Sequence, residues 1–132
     1  MILVDANIFM YAAGVDHPHK VPSARFLLRI AKGEVDAAID TEALQEILHR
    51  YRAMGRWADG RRVYESARQV VPVSFPITIE MVDAARDLLD SYGGLTVRDA
   101  LHAAVVLQSG AEAICSYDRD FDVIEGLRRI EP

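Results

Sequence analysis

The 132-residue chain has one cysteine, two lysines and no long apolar run, and these shortages exclude several classes of protein. Cys115 cannot form an internal disulfide, and its apolar sequence neighbours indicate a buried thiol rather than a nucleophile. No segment approaches the roughly 18 to 20 apolar residues that span a bilayer. Met1 also leads directly into a predicted strand, without the basic segment and apolar stretch of a signal peptide. We therefore expect a cytoplasmic protein that makes no membrane contact.

Length and composition predict a single domain over residues 1–132. A chain of this length can bury about two-thirds of its unfolded surface in one core. Apolar residues make up 51% of the chain and charged residues 27%, which is typical of a soluble globular protein. No internal repeat, low-complexity run or linker marks a second domain.

Charge is unevenly distributed along the chain. The net charge of -5 argues against a protein that coats polyanions without selectivity. Residues 50–68 nevertheless hold six arginines against Asp59 and Glu65, a local balance of +4, with Trp57 and Tyr64 between them. Arginine forms bidentate contacts with phosphate or carboxylate, so this stretch could be a protein interface or a phosphate-contacting surface. A solvated helix face is the alternative.

Apolar periodicity and turn residues predict alternating strands and helices. We expect strands over residues 1–4, 36–39, 71–75, 113–116 and 127–130. We expect helices over residues 7–13, 21–32, 41–54, 57–70, 78–92 and 96–109, and a short helical turn over 120–124. Asn7, Thr41 and Thr78 are suitable N-caps, and the helix from Thr96 has almost no polar face, as expected of a buried central helix. The alternation predicts an α/β fold, a three-layer α/β/α sandwich with a mostly parallel central sheet.

Four acids that are far apart in the sequence stand at predicted strand ends or helix starts: Asp5, Glu46, Asp99 and Asp118. Asp5 directly follows the first apolar strand, and Asp118 follows the strand over 113–116. In an open α/β sheet, ligands bind at the carboxyl ends of the parallel strands. Carboxylates placed there could converge on one metal site.

Each acid also has a purely structural explanation. Asp99 could be half of a capping box, because a carboxylate is favourable in a first helical turn. Glu46 lies roughly opposite the apolar stripe of its helix and could face solvent, and Glu42 shares its face, so periodicity cannot choose between the two glutamates. Asp118 lies in an acidic run that could be a plain turn. Asp5 is the acid that packing explains least well.

The four segments that carry these acids, taken together, resemble a known family. They are residues 5–7, 41–48, 95–104 and 116–121, which read DAN, TEALQEIL, LTVRDALHAA and SYDRDF. In this order and spacing they resemble the successive motifs of PIN-domain ribonucleases, and most of all the VapC toxins of type II toxin-antitoxin modules. The resemblance covers nearly the whole chain.

The resemblance implies a set of site residues. The catalytic and metal-binding acids would be Asp5, Glu46, Asp99 and Asp118, which selects Glu46 over Glu42. Asn7 and Ser116 would support them, with Ser116 at a position where the family commonly has threonine. Asp120 and Asp122 could add outer-sphere contacts. The resemblance also implies an RNA substrate, a cognate VapB-like antitoxin and a homodimer.

The chemistry of such a cluster is that of a hard cation. Several carboxylates within a few ångströms cannot all ionise without a countercharge, and an anionic set of oxygen donors suits Mg²⁺ or Mn²⁺. The cation would lower the pKa of a coordinated water for attack on a phosphodiester, and no protein nucleophile is then needed. Accordingly, the sequence has no nucleophile elbow, Walker loop or zinc-ligand spacing.

Two other functions remain open at this point, and so does the role of one histidine. A haloacid-dehalogenase-like phosphohydrolase could use Asp5 as a nucleophile, although that class usually has an acid where Asn7 stands and a later catalytic lysine. A non-catalytic PIN-fold module could retain RNA binding, although all four acids are present. His102, one turn after Asp99, could orient a carboxylate or contact phosphate, or it could be a hydrogen-bonded buried histidine.

Overall fold

Five short parallel strands form the central sheet of the computed structural model, which describes all 132 residues. They are β1 (Ile2–Val4), β2 (Ala37–Asp40), β3 (Ser74–Phe75), β4 (Ala113–Cys115) and β5 (Arg129–Ile130). Their order across the sheet is β3-β2-β1-β4-β5, and every neighbouring pair runs parallel. The first strand is therefore central, and residues that follow β1 and β4 lie side by side.

Six helices cover the two faces of the sheet, as the alternating pattern predicts. They are α1 (Ala6–Ala13), α2 (Lys20–Ala31), α3 (Thr41–Ala53), α4 (Trp57–Val70), α5 (Ile79–Ser91) and α6 (Val97–Ser109), with a 3-10 helix over Arg119–Val123. Side chains of β1 alternate between two cores: Val4 packs with α1 to α4, and Leu3 packs with α5 and α6. The expected three-layer α/β/α sandwich is confirmed.

Helix α6 is buried as its sequence predicts. Seven of its residues are buried, and a left-handed Gly110 ends it. The free thiol of Cys115 is also fully buried, and burial, followed by the charge of Asp5, raises its pKa to about 12. The thiol is therefore not a nucleophile.

The structure corrects two helix starts. Asp5, not Asn7, is the N-cap residue of α1, and Asp40, not Thr41, is that of α3. Asp40 Oδ1 accepts the backbone N–H of Ala43 at 2.8 Å, whereas the Thr41 hydroxyl accepts the N–H of Ile77 at 3.0 Å. Aspartate, asparagine and threonine are all good caps, so the sequence cannot decide between near neighbours. Thr78 and Thr96 do cap their helices, through the N–H groups of Met81 and Asp99.

Four strands are shorter than predicted, the first and fourth by one residue and the third and last by more. The third covers only 74–75 instead of 71–75, because Val71 ends α4, and the last covers 129–130 instead of 127–130. Both lie at the edges of the sheet, where one side has no partner strand. None of the helices is long and apolar enough to cross a membrane.

Candidate active site

A cleft of about 130 Å³ opens at the carboxyl ends of β1 and β4, between α3 and α6. The structure brings all four predicted acids into its wall. The lining residues are Asp5, Asn7, Met10, Glu46, Arg50, Thr96, Arg98, Asp99, His102 and Asp118.

Ser116 holds the Asp5 side of the cleft together. Its hydroxyl donates a hydrogen bond to Asp5 Oδ2 at 2.6 Å. The Ser116 hydroxyl oxygen also accepts hydrogen bonds from the Asn7 side-chain amide at 3.1 Å and from the backbone N–H of Asp118 at 3.0 Å. One donor and two acceptor positions are the full capacity of a serine hydroxyl. The parallel register that sets Val4 opposite Cys115 brings these residues within reach.

Glu46 is buried, so its solvent-facing interpretation is wrong. Its Oε1 accepts a hydrogen bond from Arg98 at 2.9 Å and lies 3.2 Å from Arg50. The packing of α6 against α3 brings Arg98 over this glutamate, which a single-helix pattern cannot reveal. Glu42 is only partly buried and lies outside the cleft lining, although burial does raise its pKa. Burial thus separates two glutamates that periodicity left equivalent.

Asp99 combines the cap and the cleft positions that the sequence presented as alternatives. Its backbone N–H donates a hydrogen bond to the Thr96 hydroxyl at 3.2 Å. The residue also lies in the cleft wall, where only 8% of its surface is exposed. Burial and then the charge of Asp118 raise the pKa of Asp99 to about 6. Burial, and the repulsion from neighbouring acids added to it, therefore favour the protonated form of Asp99.

Asp40 is a site residue that sequence reasoning missed. It is completely buried, and its Oδ2 lies 2.6 Å from Nδ1 of His102. His102 Nε2 in turn lies 3.8 Å from Asp5 Oδ1. Burial by itself lowers the pKa of His102, but Asp40 and then Asp5 and Glu46 outweigh it and raise the pKa to about 10. The buried, hydrogen-bonded interpretation of His102 is confirmed, and the residue also borders the cleft. An acid directly after the apolar run at residues 37–39 was the available signal for Asp40.

The donor set of the cleft fits a divalent cation. Two trios of side chains can each place three ligand atoms within 4.8 Å of one another. The first is Asp5, Glu46 and His102, and the second is Asp99, Asp118 and Asp120. Two polar atoms of cleft residues, Asn7 Oδ1 and His102 Nε2, are buried without a hydrogen-bond partner. Asp122 takes no part, because Arg129 binds both of its oxygens at 2.8 and 3.2 Å.

The arginine-rich stretch reaches the cleft at one point only, through Arg50. Farther along, Asp59 pairs with Arg56 at 3.0 Å and with Arg62, and Arg61 pairs with Glu65 at 3.1 Å. These ion pairs join residues of α4 and its N-cap residue Arg56, and such pairs are typical of a solvated helix face. Arg56 and Arg62 also border an apolar groove of about 430 Å³ whose floor includes Phe9, Leu27, Tyr51 and Val63.

Comparison with known proteins agrees with this fold and site. The model of the PIN domain family matches residues 2–127. The chain is 41% identical over 130 residues to VapC ribonuclease Mb1869c of Mycobacterium bovis and to ribonuclease VapC13 of Mycobacterium tuberculosis, which covers 98% of this chain and 99% of theirs. The chain therefore belongs to the PIN domain family, and within it to the VapC ribonucleases.

Solved structures share the fold at low sequence identity. Mycobacterium tuberculosis VapC20, a toxin that cleaves the sarcin-ricin loop, superposes with a TM-score of 0.80 at 15% identity, over 100% of both chains. VapBC2 of Rickettsia felis, solved with a DNA fragment from its promoter, gives 0.78 at 18% identity, over 99% of this chain and 98% of the other. These likenesses confirm the PIN-like arrangement of sheet and helices.

Proposed function

We propose that this protein is a metal-dependent endoribonuclease and the toxin of a type II toxin-antitoxin pair, with Asp5, Glu46, Asp99 and Asp118 as its catalytic and metal-binding acids. The convergence of these four carboxylates in one small cleft is the observation that carries the assignment. Membership in the VapC ribonucleases supports the RNA substrate. Mg²⁺ or Mn²⁺ suits a cleft so rich in carboxylate oxygen.

Protein side chains hold two of the four acids in place before any substrate arrives. Ser116 orients Asp5 through its 2.6 Å hydrogen bond, and Arg98 and Arg50 hold Glu46 by the same oxygen, Oε1. When bound, a divalent cation would lower the pKa of a water molecule and neutralise charge on the phosphodiester. Burial and then the charge of Asp118 raise the pKa of Asp99, and a bound cation would relieve that repulsion.

The two arginines at the cleft are the natural contacts for the RNA backbone. Arg50 and Arg98 side chains are half exposed at 52% and 41%, so each has donors free for a phosphate besides its contact with Glu46. They would attract the substrate to a cleft that is otherwise acidic. We therefore assign them to binding and orienting the scissile phosphate.

We further propose that the protein works as one PIN-like domain over residues 1–132, as a homodimer in the cytoplasm, and binds a VapB-like antitoxin. The relatives support an antitoxin, because the Rickettsia felis toxin was solved in a VapBC pair. The groove beside Arg56 and Arg62 has the apolar floor and charged rim that a protein segment would fill. We assign the antitoxin to this groove.

The site disfavours a haloacid-dehalogenase-like phosphohydrolase. The position of the second acid in that class is occupied by Asn7, which binds Ser116, and neither Lys20 nor Lys32 lines the cleft. Family membership is likewise against it. The non-catalytic module is disfavoured because all four acids line one cleft.

A metal titration with two substrates tests the proposal. Purified protein should cleave RNA when Mg²⁺ or Mn²⁺ is added and stop when a chelator removes the cation. A small phosphate ester under the same conditions should remain intact. Hydrolysis of the ester without RNA cleavage would support the phosphohydrolase, and RNA binding without any hydrolysis would support the module.

A further inference from the structure

One ring nitrogen at the cleft has no hydrogen-bond partner. His102 is 1% exposed, and its Nε2 is buried without a donor or acceptor in reach. The nearest carboxylate oxygen, Asp5 Oδ1, is 3.8 Å away, too far for a hydrogen bond. A buried polar atom left unpaired loses its hydrogen bonds to water and gains none in return, so such atoms in a native site need an explanation.

The opposite nitrogen of the ring is held firmly. His102 Nδ1 lies 2.6 Å from Oδ2 of Asp40, whose Oδ1 is fixed by the Ala43 N–H. Asp40 has no exposed surface, so neither partner can turn away. A carboxylate behind the ring is the arrangement that orients histidines in metal sites. Because Asp40 and Asp5 also favour the protonated ring, a metal that binds Nε2 must displace the proton there.

The two halves of the cleft offer different chemistry. In the inner half, buried ligand atoms of Asp5, Glu46 and His102 lie within 4.8 Å of one another. Both arginine contacts of Glu46 use Oε1, so Oε2 makes no hydrogen bond and is available. The outer trio, Asp99, Asp118 and Asp120, is more exposed and supplies oxygen only. Nitrogen is therefore confined to the inner half.

We propose that His102 Nε2 is a ligand of a divalent transition metal held with Asp5 and Glu46, and that it makes the inner half of the cleft prefer Mn²⁺ and Co²⁺ to Mg²⁺. Imidazole is a good ligand for transition metals, whereas Mg²⁺ strongly favours oxygen. Asp40 is then a positioning residue that acts through the ring. The inference rests on the proposed function only in that both require a cation in the cleft.

Pulsed electron paramagnetic resonance on Mn²⁺-loaded full-length protein tests the ligand directly. The wild-type spectrum should contain the coupling of a directly bound imidazole nitrogen, and this coupling should change when histidine is labelled with ¹⁵N. The coupling should disappear in His102→Gln and persist in His49→Gln, a control on the exposed side of α3. Bound Mn²⁺ without nitrogen coupling in the wild type would overturn the proposal and leave His102 as a fixed positive charge beside Asp5.

Metal affinities provide a second measurement. In His102→Gln an amide oxygen replaces Nε2, so calorimetry should show Mn²⁺ and Co²⁺ affinities falling by about tenfold or more while Mg²⁺ affinity changes much less. Asp40→Asn should weaken Mn²⁺ binding by about 10- to 100-fold through loss of ring orientation. Equal losses for Mg²⁺ and Mn²⁺ in His102→Gln would contradict a nitrogen ligand.

Separate cleavage assays distinguish this inference from the proposed function. Nitrogen coupling in a protein that does not cleave RNA would support the ligand assignment and contradict the nuclease. RNA cleavage by a protein whose bound Mn²⁺ shows no nitrogen coupling would support the nuclease and contradict the ligand assignment. If the glutamine variant fails to fold, the ¹⁵N comparison in the wild type still decides whether an imidazole nitrogen binds the metal.

Discussion

Ser116 donates a 2.6 Å hydrogen bond to Asp5 across the two central strands of the sheet. Because Ser116 is fully buried and also accepts bonds from Asn7 and Asp118, it fixes the spacing of two acids that are 113 positions apart in the sequence. The hydroxyl thus connects the residues that follow β1 to those that follow β4.

Removing this hydroxyl should impair the site. Ser116→Ala leaves three polar groups without a partner, so we expect a loss of about 1.5 to 3 kcal/mol in unfolding free energy and a marked loss of RNA cleavage. Ser116→Thr retains the hydroxyl and should retain much of the activity. Urea unfolding and initial cleavage rates give both quantities.

Ser23 provides the matched control, because it is equally buried but its hydroxyl has no partner and lies outside the cleft. Ser23→Ala should leave cleavage unchanged and cost little stability. Similar losses in the two alanine variants would contradict the role given to Ser116.

Glu46→Gln should reduce cleavage far more than Glu42→Gln. Loss of its charge removes an ionic partner of Arg98 and Arg50 and one carboxylate of the cleft. We expect a reduction of about a hundredfold or more for Glu46→Gln and less than about threefold for Glu42→Gln, since a ligand position is lost only in the first. Equal effects in a steady-state cleavage assay would show that the assignment is off by one helical turn.

Asp99 should make the metal-free protein less stable as the pH rises. Its pKa in the folded protein, about 6, is above the ordinary value of 3.8, so the folded state binds the proton more tightly. Its favourable contribution is therefore present at low pH and is lost as the pH rises through about 6.

The difference between wild type and Asp99→Asn isolates this contribution. Between pH 4.5 and 7.5 the variant should gain about 1 kcal/mol over the wild type, a value reduced for solvent screening at the cleft mouth. Urea unfolding of both metal-free proteins measures it. A difference in unfolding free energy that stays the same across this range would contradict the raised pKa of Asp99.

The Arg61→Ala/Arg62→Ala variant should remain folded and still cleave RNA, but escape antitoxin inhibition. The ion pairs it removes are exposed and contribute little to stability. Arg62 borders the apolar groove assigned to the antitoxin, whereas neither residue lines the cleft. Weaker RNA binding with a flatter salt dependence would instead assign the stretch to RNA.

Local patterns were sufficient for much of the fold. Apolar runs and capping residues located every strand and helix, and the position of Asp5 and Asp118 after strands predicted that they would meet. Edge strands and adjacent caps were the places where the pattern failed, because unpaired edges and near-equivalent capping residues leave the boundary to tertiary packing.

Long-range polar pairs could not be read from the sequence. His102 meets Asp40 across 62 positions and Arg98 meets Glu46 across 52. Both pairs depend on how α6 crosses β2 and α3, which periodicity within one helix does not encode. The choice of Glu46 came from family resemblance alone, and the burial of this glutamate is a fact of packing.

The most direct measurement is RNA cleavage by Asp5→Asn, Asp99→Asn and Asp118→Asn in the presence of Mg²⁺ or Mn²⁺, with Asp90→Asn, an exposed acid on α5, as the control. Each substitution removes one carboxylate of the cleft without changing side-chain size, so circular dichroism should show an intact fold. The metal-site account predicts that all three cleft variants lose cleavage and that the control keeps it. Full activity in any two folded cleft variants would contradict the account.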